Sequence, residues 1–202
     1  MANHVNGKLI LDVGCAGLSG LIHKVILQNN KNATLVGADI NWSQIKKLKE
    51  EKPSLNLVYC TVEKLPFKRE SFDCVYMGEL IEHFYFIIPL IEEVNRSLQK
   101  GGILCFDTPN VYSMGRIINF SLFGRDDLGD SDHKTFFTPG SLRKMLNHCG
   151  FEVLKTTTDR KIDFLRNMEL NFFPFKWLGS HLFVVAKKRK SIGCMWDSGR
   201  EI

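Results

Sequence analysis

The 202 residues of this chain are 44% hydrophobic and 24% charged, which is typical of one globular domain with a sizeable core. The net charge is +5, and much of the surplus lies in the run KKRK at residues 187–190, so a broad nucleic-acid-binding face is not indicated. No apolar run reaches the roughly 18 residues that span a bilayer, and no secretory leader is visible.

The first part of the chain alternates strand and helix patterns. Apolar residues predict a strand at about 8–12, small residues predict a tight turn at 14–17, and apolar residues at 18, 21, 22, 25 and 26 predict a helix that ends near Asn30. Strands are predicted at 33–39 and 55–60. The helix between them begins after Asn41 as its N-cap and is closed by Pro53.

The second part continues the alternation with two long interruptions. It predicts strands at 72–77, 103–107, 151–157 and 181–186, with helices that begin near Pro89 and at Thr138-Pro139. Residues 110–132 form a long connection with some helix around 117–122, and residues 159–179 form an insertion rich in Phe and Trp. We expect one α/β domain over residues 1–187 with these two segments as lids, and a disordered tail at 188–202.

The stretch from Leu9 to Gly20 is typical of the opening of a nucleotide-binding half-domain. Gly14 and Gly17 lack a Cβ and let a ligand approach the backbone, and N–H groups at the helix start would face that ligand. Asp39 ends the second strand roughly 20 residues later, where an acid can accept both ribose hydroxyls. The alternative is a capping Asp before the next helix. Together with the glycine turn, we favour the ribose role.

The turn separates two classes of nucleotide ligand. A dinucleotide turn places a third glycine three residues after the second, but Leu18 and Ser19 follow Gly17 here. Asp12 at the head of the turn would repel a pyrophosphate and would attract the ammonium of a methionine moiety. The pattern therefore favours S-adenosylmethionine.

Four motifs carry a resemblance to a known family: LDVGCAG at 11–17, Asp39, the run 62–84 that ends in MGELIEHF, and LIEEVNRSLQKGGILCFDTPN at 90–110. In this order and spacing the chain resembles the class I S-adenosylmethionine-dependent methyltransferases, and especially the small-molecule enzymes whose first motif reads LDVGCGxG. HKTFFTPGSLRKMLNHCGFEVLK at 133–155 resembles that group's late helix and strand. The resemblance implies a Rossmann-like three-layer sandwich with a seven-stranded, mostly parallel sheet whose last strand is antiparallel.

The resemblance also implies which positions contact S-adenosylmethionine. The methionine part would lie against the turn and strand four, the ribose against the acid of strand two, and the adenine against the residues that follow strands two and three. The implied set is Asp12, Gly14, Ala16, Gly17, Asp39, Ile40, Thr61, Val62 and Met77. Ala16 and Leu18 replace glycines common in the family, and Thr61 replaces an Asp. These departures keep open a second class, a non-catalytic subunit that binds the cofactor.

The run Glu79-Leu80-Ile81-Glu82-His83 is the sharpest catalytic candidate. On a helix, positions i, i+3 and i+4 share one face, so two carboxylates and an imidazole would converge and could hold a divalent metal. The run is similar to one in ubiquinone-biosynthesis O-methyltransferases and in small-RNA terminal 2′-O-methyltransferases, and His133 falls where the RNA family has a further histidine ligand. The alternative, which we favour, is that the Glu-His pair at Glu82 and His83 is simply common after strand four in this fold and that no metal binds.

His83 and His133 are also candidates for a catalytic base, since a neutral imidazole accepts a hydroxyl proton near pH 7. The predicted function is methyl transfer to a small-molecule acceptor, at an oxygen. The alternatives are metal-dependent methylation of an RNA terminal 2′-oxygen and the non-catalytic subunit.

The aromatic residues and the cysteines lead to two further expectations. The aromatic residues at 164–177 predict a covering flap, or else an acceptor wall or homodimer contact. The six cysteines include no C-x-x-C pair, and three of them lie in apolar strand-like runs, which favours reduced thiols and a cytoplasmic location.

Overall fold

The computed structural model describes residues 4–124, 132–159, 161–162, 165–169 and 177–192. Five helices occur in these ranges: α1 (Leu21–Asn29), α2 (Trp42–Glu51), α3 (Ile88–Ser97), α4 (Met114–Phe123) and α5 (Pro139–His148). The strands are β1 (Leu9–Val13), β2 (Thr34–Asp39), β3 (Asn56–Tyr59), β4 (Phe72–Gly78), β5 (Leu98–Pro109), β6 (Phe151–Thr158), β7 (Lys161–Ile162), β8 (Leu165–Glu169) and β9 (His181–Lys188).

Seven of these strands form one sheet in the order β3-β2-β1-β4-β5-β9-β6. The first five pair in parallel, and β9 is antiparallel to both β5 and β6. The predicted Rossmann-like architecture with an antiparallel last strand is therefore confirmed. β7 and β8 form a separate two-stranded pair.

The central strands are buried on both faces because helices cover both sides of the sheet. In β4, Cys74, Val75, Tyr76 and Met77 are all buried, although their side chains alternate between the faces. Their continuous apolar run explains why the strand is visible in the sequence. Because β1, β2, β4 and β5 run parallel, their carboxyl ends lie at the same edge of the sheet. Open α/β sheets bind ligands at this edge.

The predicted starts of α2 and α5 and the predicted end of α5 are confirmed, whereas α3 ends at Ser97 and not at the predicted Gly101-Gly102, which lie in β5. The Asn41 side chain accepts a hydrogen bond from the N–H of Gln44 at the start of α2. Thr138 and Ser141 form a reciprocal capping box at the start of α5, and Gly150 follows that helix with a φ of 81°. The expected helix around 117–122 is present as part of α4.

The first helix differs from its prediction. Residues Gly17–Gly20 form a 3-10 turn, and α1 begins at Leu21 after Gly20, whose φ is 70°. The left-handed residue reorients the chain, so α1 buries His23 and Ile26 while Leu21 and Ile22 are exposed. The predicted apolar stripe is therefore wrong at two positions.

The tail predicted at 188–202 does not begin at residue 188. Lys187 and Lys188 belong to β9, and Lys188 is buried. Its ammonium donates to the carbonyls of Asn95 and Leu98 at 2.8 and 2.6 Å. A buried ammonium paired with carbonyls is a structural element that charge pattern alone does not reveal.

Two expectations fall largely, and a third falls partly, on residues that the structure leaves undescribed. Most of the aromatic segment at 164–177 lies outside the described residues, as do residues 125–131 of the first predicted lid and 193–202 of the tail. Within the described ranges, none of the helices has the length and hydropathy needed to cross a bilayer.

Candidate cofactor and acceptor site

A groove of about 140 Å³ lies at the carboxyl edge of the sheet, beside β1 and β2. Its lining combines the glycine turn, the end of β2, the segment after β3 and the segment after β4: Val13, Gly14, Ala38, Asp39, Ile40, Cys60, Val62, Glu63, Leu65, Leu80 and Phe84. A larger cavity of about 590 Å³ lies at the opposite edge, around residues 29–33. It contains none of the predicted site residues, so the smaller groove is the candidate site.

Asp39 is fixed at this groove by two backbone groups. Its Oδ2 accepts the N–H of Ala16 at 2.9 Å, and its Oδ1 accepts the N–H of Asn41 at 2.8 Å. The bond to the N–H of Asn41 is the kind expected if Asp39 is a capping residue before α2. Each carboxylate oxygen still has a further acceptor site, so capping and ribose binding are compatible.

The glycine turn leaves room where a ligand would lie. Gly14 has a φ of 79°, and a Cβ there would contact Leu80 at 3.3 Å, whereas a Cβ at Gly17 would meet nothing within 4 Å. Ala16 is buried and packs with Leu48 and Leu55. Its methyl group therefore lies in the core, and this departure from glycine does not obstruct the groove.

Asp12 is buried beneath the turn instead of lining the groove. Its Oδ2 lies 2.8 Å from Nδ1 of His23, and burial raises the pKa of Asp12 in spite of that hydrogen bond. The Nε2 atom of His23 is also buried and has no hydrogen-bond partner among the residues that the structure describes. The sequence does not mark His23 as a site residue, because it lies in a helix predicted from its apolar residues.

The other predicted cofactor positions divide between the groove and the core. Ile40 is exposed at the groove and Val62 is one of its buried walls. Thr61 is exposed beside it but does not line it, and Met77 is buried within β4 with its backbone paired to β1 and β5.

A buried ion pair on α3 holds the loop that carries Val62 and Leu65. Glu93 and Arg96 lie 2.8 Å apart, and the Glu93 carboxylate accepts the N–H of Leu65. Arg96 donates in turn to the carbonyls of Leu65 and Phe67. These bonds fix the wall of the groove from a helix rather than from the loop itself.

The predicted helix over Glu79, Glu82 and His83 is wrong. Glu79 has a left-handed backbone with a φ of 47°, and only Ile81–His83 form a short 3-10 turn. The left-handed residue separates the two carboxylates, so the three side chains do not share a helix face. The Glu79 carboxylate instead lies 3.1 Å from Nε2 of His181.

Glu82, His83 and His133 do converge, through contacts between two separate segments. Their potential ligand atoms all lie within 4.8 Å of one another. The N–H groups of Lys134 and Thr135 donate to the carbonyl of Glu82 at 2.8 and 3.0 Å, which brings the two imidazole rings to 5.1 Å between centroids.

Glu82 is fully buried, and its environment is only partly satisfied. Burial raises its pKa to about 7, although Thr108 donates a hydrogen bond to Oε2. Oε1 is buried and has no hydrogen-bond partner within the described part of the chain. A carboxylate and two imidazoles with an unpaired buried oxygen fit a divalent transition metal, and they equally fit a site where a proton is exchanged.

A second group of polar residues surrounds the ends of β4, β5 and β9. Asp107 in β5 is buried and accepts the hydroxyl of Tyr76 at 2.7 Å, and burial raises the pKa of Asp107 to about 6. His181 lies between Asp159 and Glu79, and hydrogen bonds to these two carboxylates raise its pKa to about 10. Burial raises the pKa of Glu79, but the hydrogen bond to His181 and the nearby imidazoles of His181, His133 and His83 together lower it below its usual value.

This group is not evident from the sequence because its members come from distant parts of the chain. One signal was available: Asp107 ends an apolar strand, as Asp39 does. His181 carried no such signal, because the antiparallel β9 places its first residue, not its last, at this edge.

Comparison with known proteins finds that this chain is similar to methyltransferases. A sequence profile described as a methyltransferase domain matches residues 11–106. Two curated relatives are named ubiquinone biosynthesis O-methyltransferase. The one from Dinoroseobacter shibae is 30% identical over 74% of this chain and 62% of its own length, and the one from Bartonella bacilliformis is 29% identical over 69% and 58%. The chain thus spans about three fifths of these relatives.

Solved structures support the fold. An S-adenosylmethionine-dependent methyltransferase from Mesorhizobium loti aligns with a TM-score of 0.66 at 18% identity, covering 91% of this chain and 92% of its own. Another, from Archaeoglobus fulgidus, aligns with a TM-score of 0.66 at 20% identity over 92% and 88%. At these identities the likeness concerns the fold alone.

Proposed function

This chain carries a class I S-adenosylmethionine-dependent methyltransferase domain, and from that premise we propose that it transfers a methyl group to a hydroxyl oxygen of a small molecule. The observation that carries the proposal is Asp39, held by two backbone N–H groups at the rim of a groove beside the glycine turn. The names of the curated relatives support oxygen as the acceptor atom.

Each part of the groove has an assigned task in this proposal. Asp39 accepts the ribose hydroxyls, Ile40 and Val62 enclose the adenine, and the turn at Gly14 and Gly17 admits the methionine part. Asp12 acts from below by fixing the turn through His23. The chain contributes mainly orientation and exclusion of water, which can be worth about 7–11 kcal/mol in favourable systems.

The proton of the acceptor hydroxyl goes to an imidazole. When bound, S-adenosylmethionine would supply a methyl group on a positively charged sulfur, and the electron pair of its C–S bond would stay with sulfur as the methyl group passes to the acceptor oxygen. His83 or His133 accepts the hydroxyl proton, since both imidazoles lie beside the segment that follows β4.

His83→Ala and His133→Ala should each reduce turnover while S-adenosylhomocysteine still binds, and unchanged turnover in both variants would exclude a base role.

The test of the main proposal is cofactor binding followed by transfer. Isothermal titration with S-adenosylhomocysteine should show binding to the wild type. Asp39→Asn should weaken it roughly 10- to 100-fold, because hydrogen bonds to a charged group contribute about 1.5–3 kcal/mol. Glu50→Gln, an exposed change on α2, is the matched control. Tritiated methyl transfer to a panel of small hydroxyl compounds then tests the reaction, and absence of binding to the wild type would refute the proposal.

The second candidate is metal-dependent 2′-O-methylation of an RNA end, and the cluster of Glu82, His83 and His133 is the observation that favours it. Under this alternative, EDTA abolishes transfer to a small-RNA oligonucleotide and Mn²⁺ restores it, whereas Glu82→Gln cannot be restored. Activity that is unaffected by EDTA excludes it. A wild type that binds S-adenosylhomocysteine but transfers no methyl group would favour the non-catalytic subunit.

Cytoplasmic location and a homodimer stay predictions. The five cysteines that the structure describes are free thiols, which supports a reducing compartment.

A further inference from the structure

We propose that Asp107 is an acceptor-binding residue, whose carboxylate receives a hydrogen bond from a hydroxyl or ammonium group of the methyl acceptor. This inference rests on the proposed methyl transfer and specifies the chemistry of its substrate.

The position of Asp107 follows from the order of the strands. The cofactor groove extends along the sheet edge from Asp39 at the end of β2 to Gly14 after β1. The next strands in the same direction are β4 and then β5, and Asp107 pairs with Gly78 at the end of β4. The N–H of Glu79 donates to the carbonyl of Asp107. A substrate that approaches the far end of the cofactor therefore meets the end of β5.

The carboxylate of Asp107 is buried but only half satisfied. The residue is 9% exposed, and its Oδ1 accepts the hydroxyl of Tyr76 at 2.7 Å. Its Oδ2 has no hydrogen-bond donor within the part of the chain that the structure describes. Because Oδ2 is not among the buried atoms without a partner, it keeps contact with solvent, and a donor on a ligand could reach it and form a charge-assisted hydrogen bond.

The surroundings select against anions. Glu79 and Asp159 lie on either side of His181, at 3.1 and 3.5 Å from its two ring nitrogens. Together with Asp107 they place three carboxylates around the imidazole of His181, while the imidazoles of His83 and His133 lie near Glu79. A carboxylate or phosphate on the acceptor would be repelled, whereas a hydroxyl or an ammonium would be accepted.

The experiment measures binding of three simple probes to the protein saturated with S-adenosylhomocysteine. Catechol presents hydroxyl donors, tyramine adds an ammonium, and benzoate presents an anion. We expect catechol or tyramine to bind at least tenfold more tightly than benzoate, and the tighter of the two identifies the donor. Asp107→Asn should weaken that binding at least tenfold, because the single amide oxygen is occupied by Tyr76 and the NH2 group then faces the ligand.

Two further variants make the result specific. Tyr76→Phe keeps the carboxylate and should keep the preference for donors. Glu152→Gln removes a carboxylate at the opposite end of β6 and should change nothing. Equal probe affinities for wild type and Asp107→Asn, benzoate binding as tight as catechol, or no binding of either donor probe would each overturn the inference while S-adenosylhomocysteine still binds. Loss of S-adenosylhomocysteine binding by the wild type would instead overturn the proposed function.

Discussion

At the scale of single residues, the pair formed by Asp12 and His23 explains how an acid can support a cofactor turn without lining the groove. Both residues are buried, and one hydrogen bond of 2.8 Å joins them. The sequence alone places Asp12 at the head of the turn. It does not reveal His23, since a histidine on a helix can equally face solvent.

Replacing His23 by Leu should destabilise the protein by about 3 kcal/mol, because the Asp12 carboxylate would stay buried without its partner. His23→Gln should lose less, since the amide can still donate. Urea denaturation measures both variants, and equal losses would contradict a role for the hydrogen bond. Titration with S-adenosylhomocysteine should show weaker binding to His23→Leu, as the turn loses its support.

The buried carboxyl of Asp107 predicts a pH dependence of stability. Its pKa is raised from 3.8 to about 6 in the folded chain, where it faces Tyr76, Glu79 and His181. The folded state therefore holds this proton more tightly than the unfolded state. The stabilisation is fully present below pH 3.8 and is lost as the pH rises through 6.

Between pH 4.5 and 7, the free energy of unfolding of the wild type should fall by roughly 2 kcal/mol relative to Asp107→Asn. Urea denaturation at several pH values measures the difference between the two proteins. Parallel pH profiles would show that the carboxyl is not desolvated as described.

At the scale of elements, side chains of α3 hold the loop that contains Leu65 and Phe67, for which the sequence predicts neither helix nor strand. The Glu93–Arg96 pair is buried and binds the backbone of Leu65 and Phe67, and so holds one wall of the groove. The sequence predicts the helix from its apolar residues, but it gives no sign that two of its charged residues point inward.

Arg96→Met should cost about 3–5 kcal/mol of stability, because Glu93 and two loop carbonyls would be left in the interior. The same variant should bind S-adenosylhomocysteine more weakly, as Val62 and Leu65 move. Arg143→Met, an exposed change on α5, is the control and should be nearly neutral. A stable Arg96→Met protein with normal affinity would mean that the loop holds itself.

The same scale shows which elements a sequence can specify. The helices α2 and α5, with an Asn and a Thr N-cap, begin as predicted and end before Pro53 and Gly150 as predicted, because these signals depend on neighbouring residues. The segment after β4 does not, because Glu79 has a left-handed backbone next to Asp107 and His181. Those partners lie 28 and 102 residues further along the chain.

At the scale of the whole molecule, Lys188 connects the end of the described chain to its centre. Its ammonium lies under the junction of α3 and β5, bonded to Asn95 and Leu98, and it is 3.3 Å from a carboxylate oxygen of Glu70. The last strand is thus fixed by side-chain bonds as well as by its place between β5 and β6.

Lys188→Met should lower the free energy of unfolding by about 2–3 kcal/mol, since buried carbonyls lose their donor. Lys187→Met, the neighbouring residue on the partly exposed face of β9, should change it by less than about 0.5 kcal/mol. Thermal denaturation of the two variants measures the contrast, and similar melting temperatures would refute the structural role of Lys188.

The sequence by itself determined the order of strands and helices, the glycine turn and the acid at the end of β2. These features depend on residues near one another in the chain, through hydrophobic period, capping and glycine conformation. Only the tertiary structure decided that Glu79 pairs with His181, that His133 joins Glu82 and His83, and that Asp12, Arg96 and Lys188 are buried with partners. Such contacts depend on the sheet order and the antiparallel β9, which bring residues that are distant in the chain to one edge of the sheet. The pattern of residues along the sequence does not indicate which of them will be close in space.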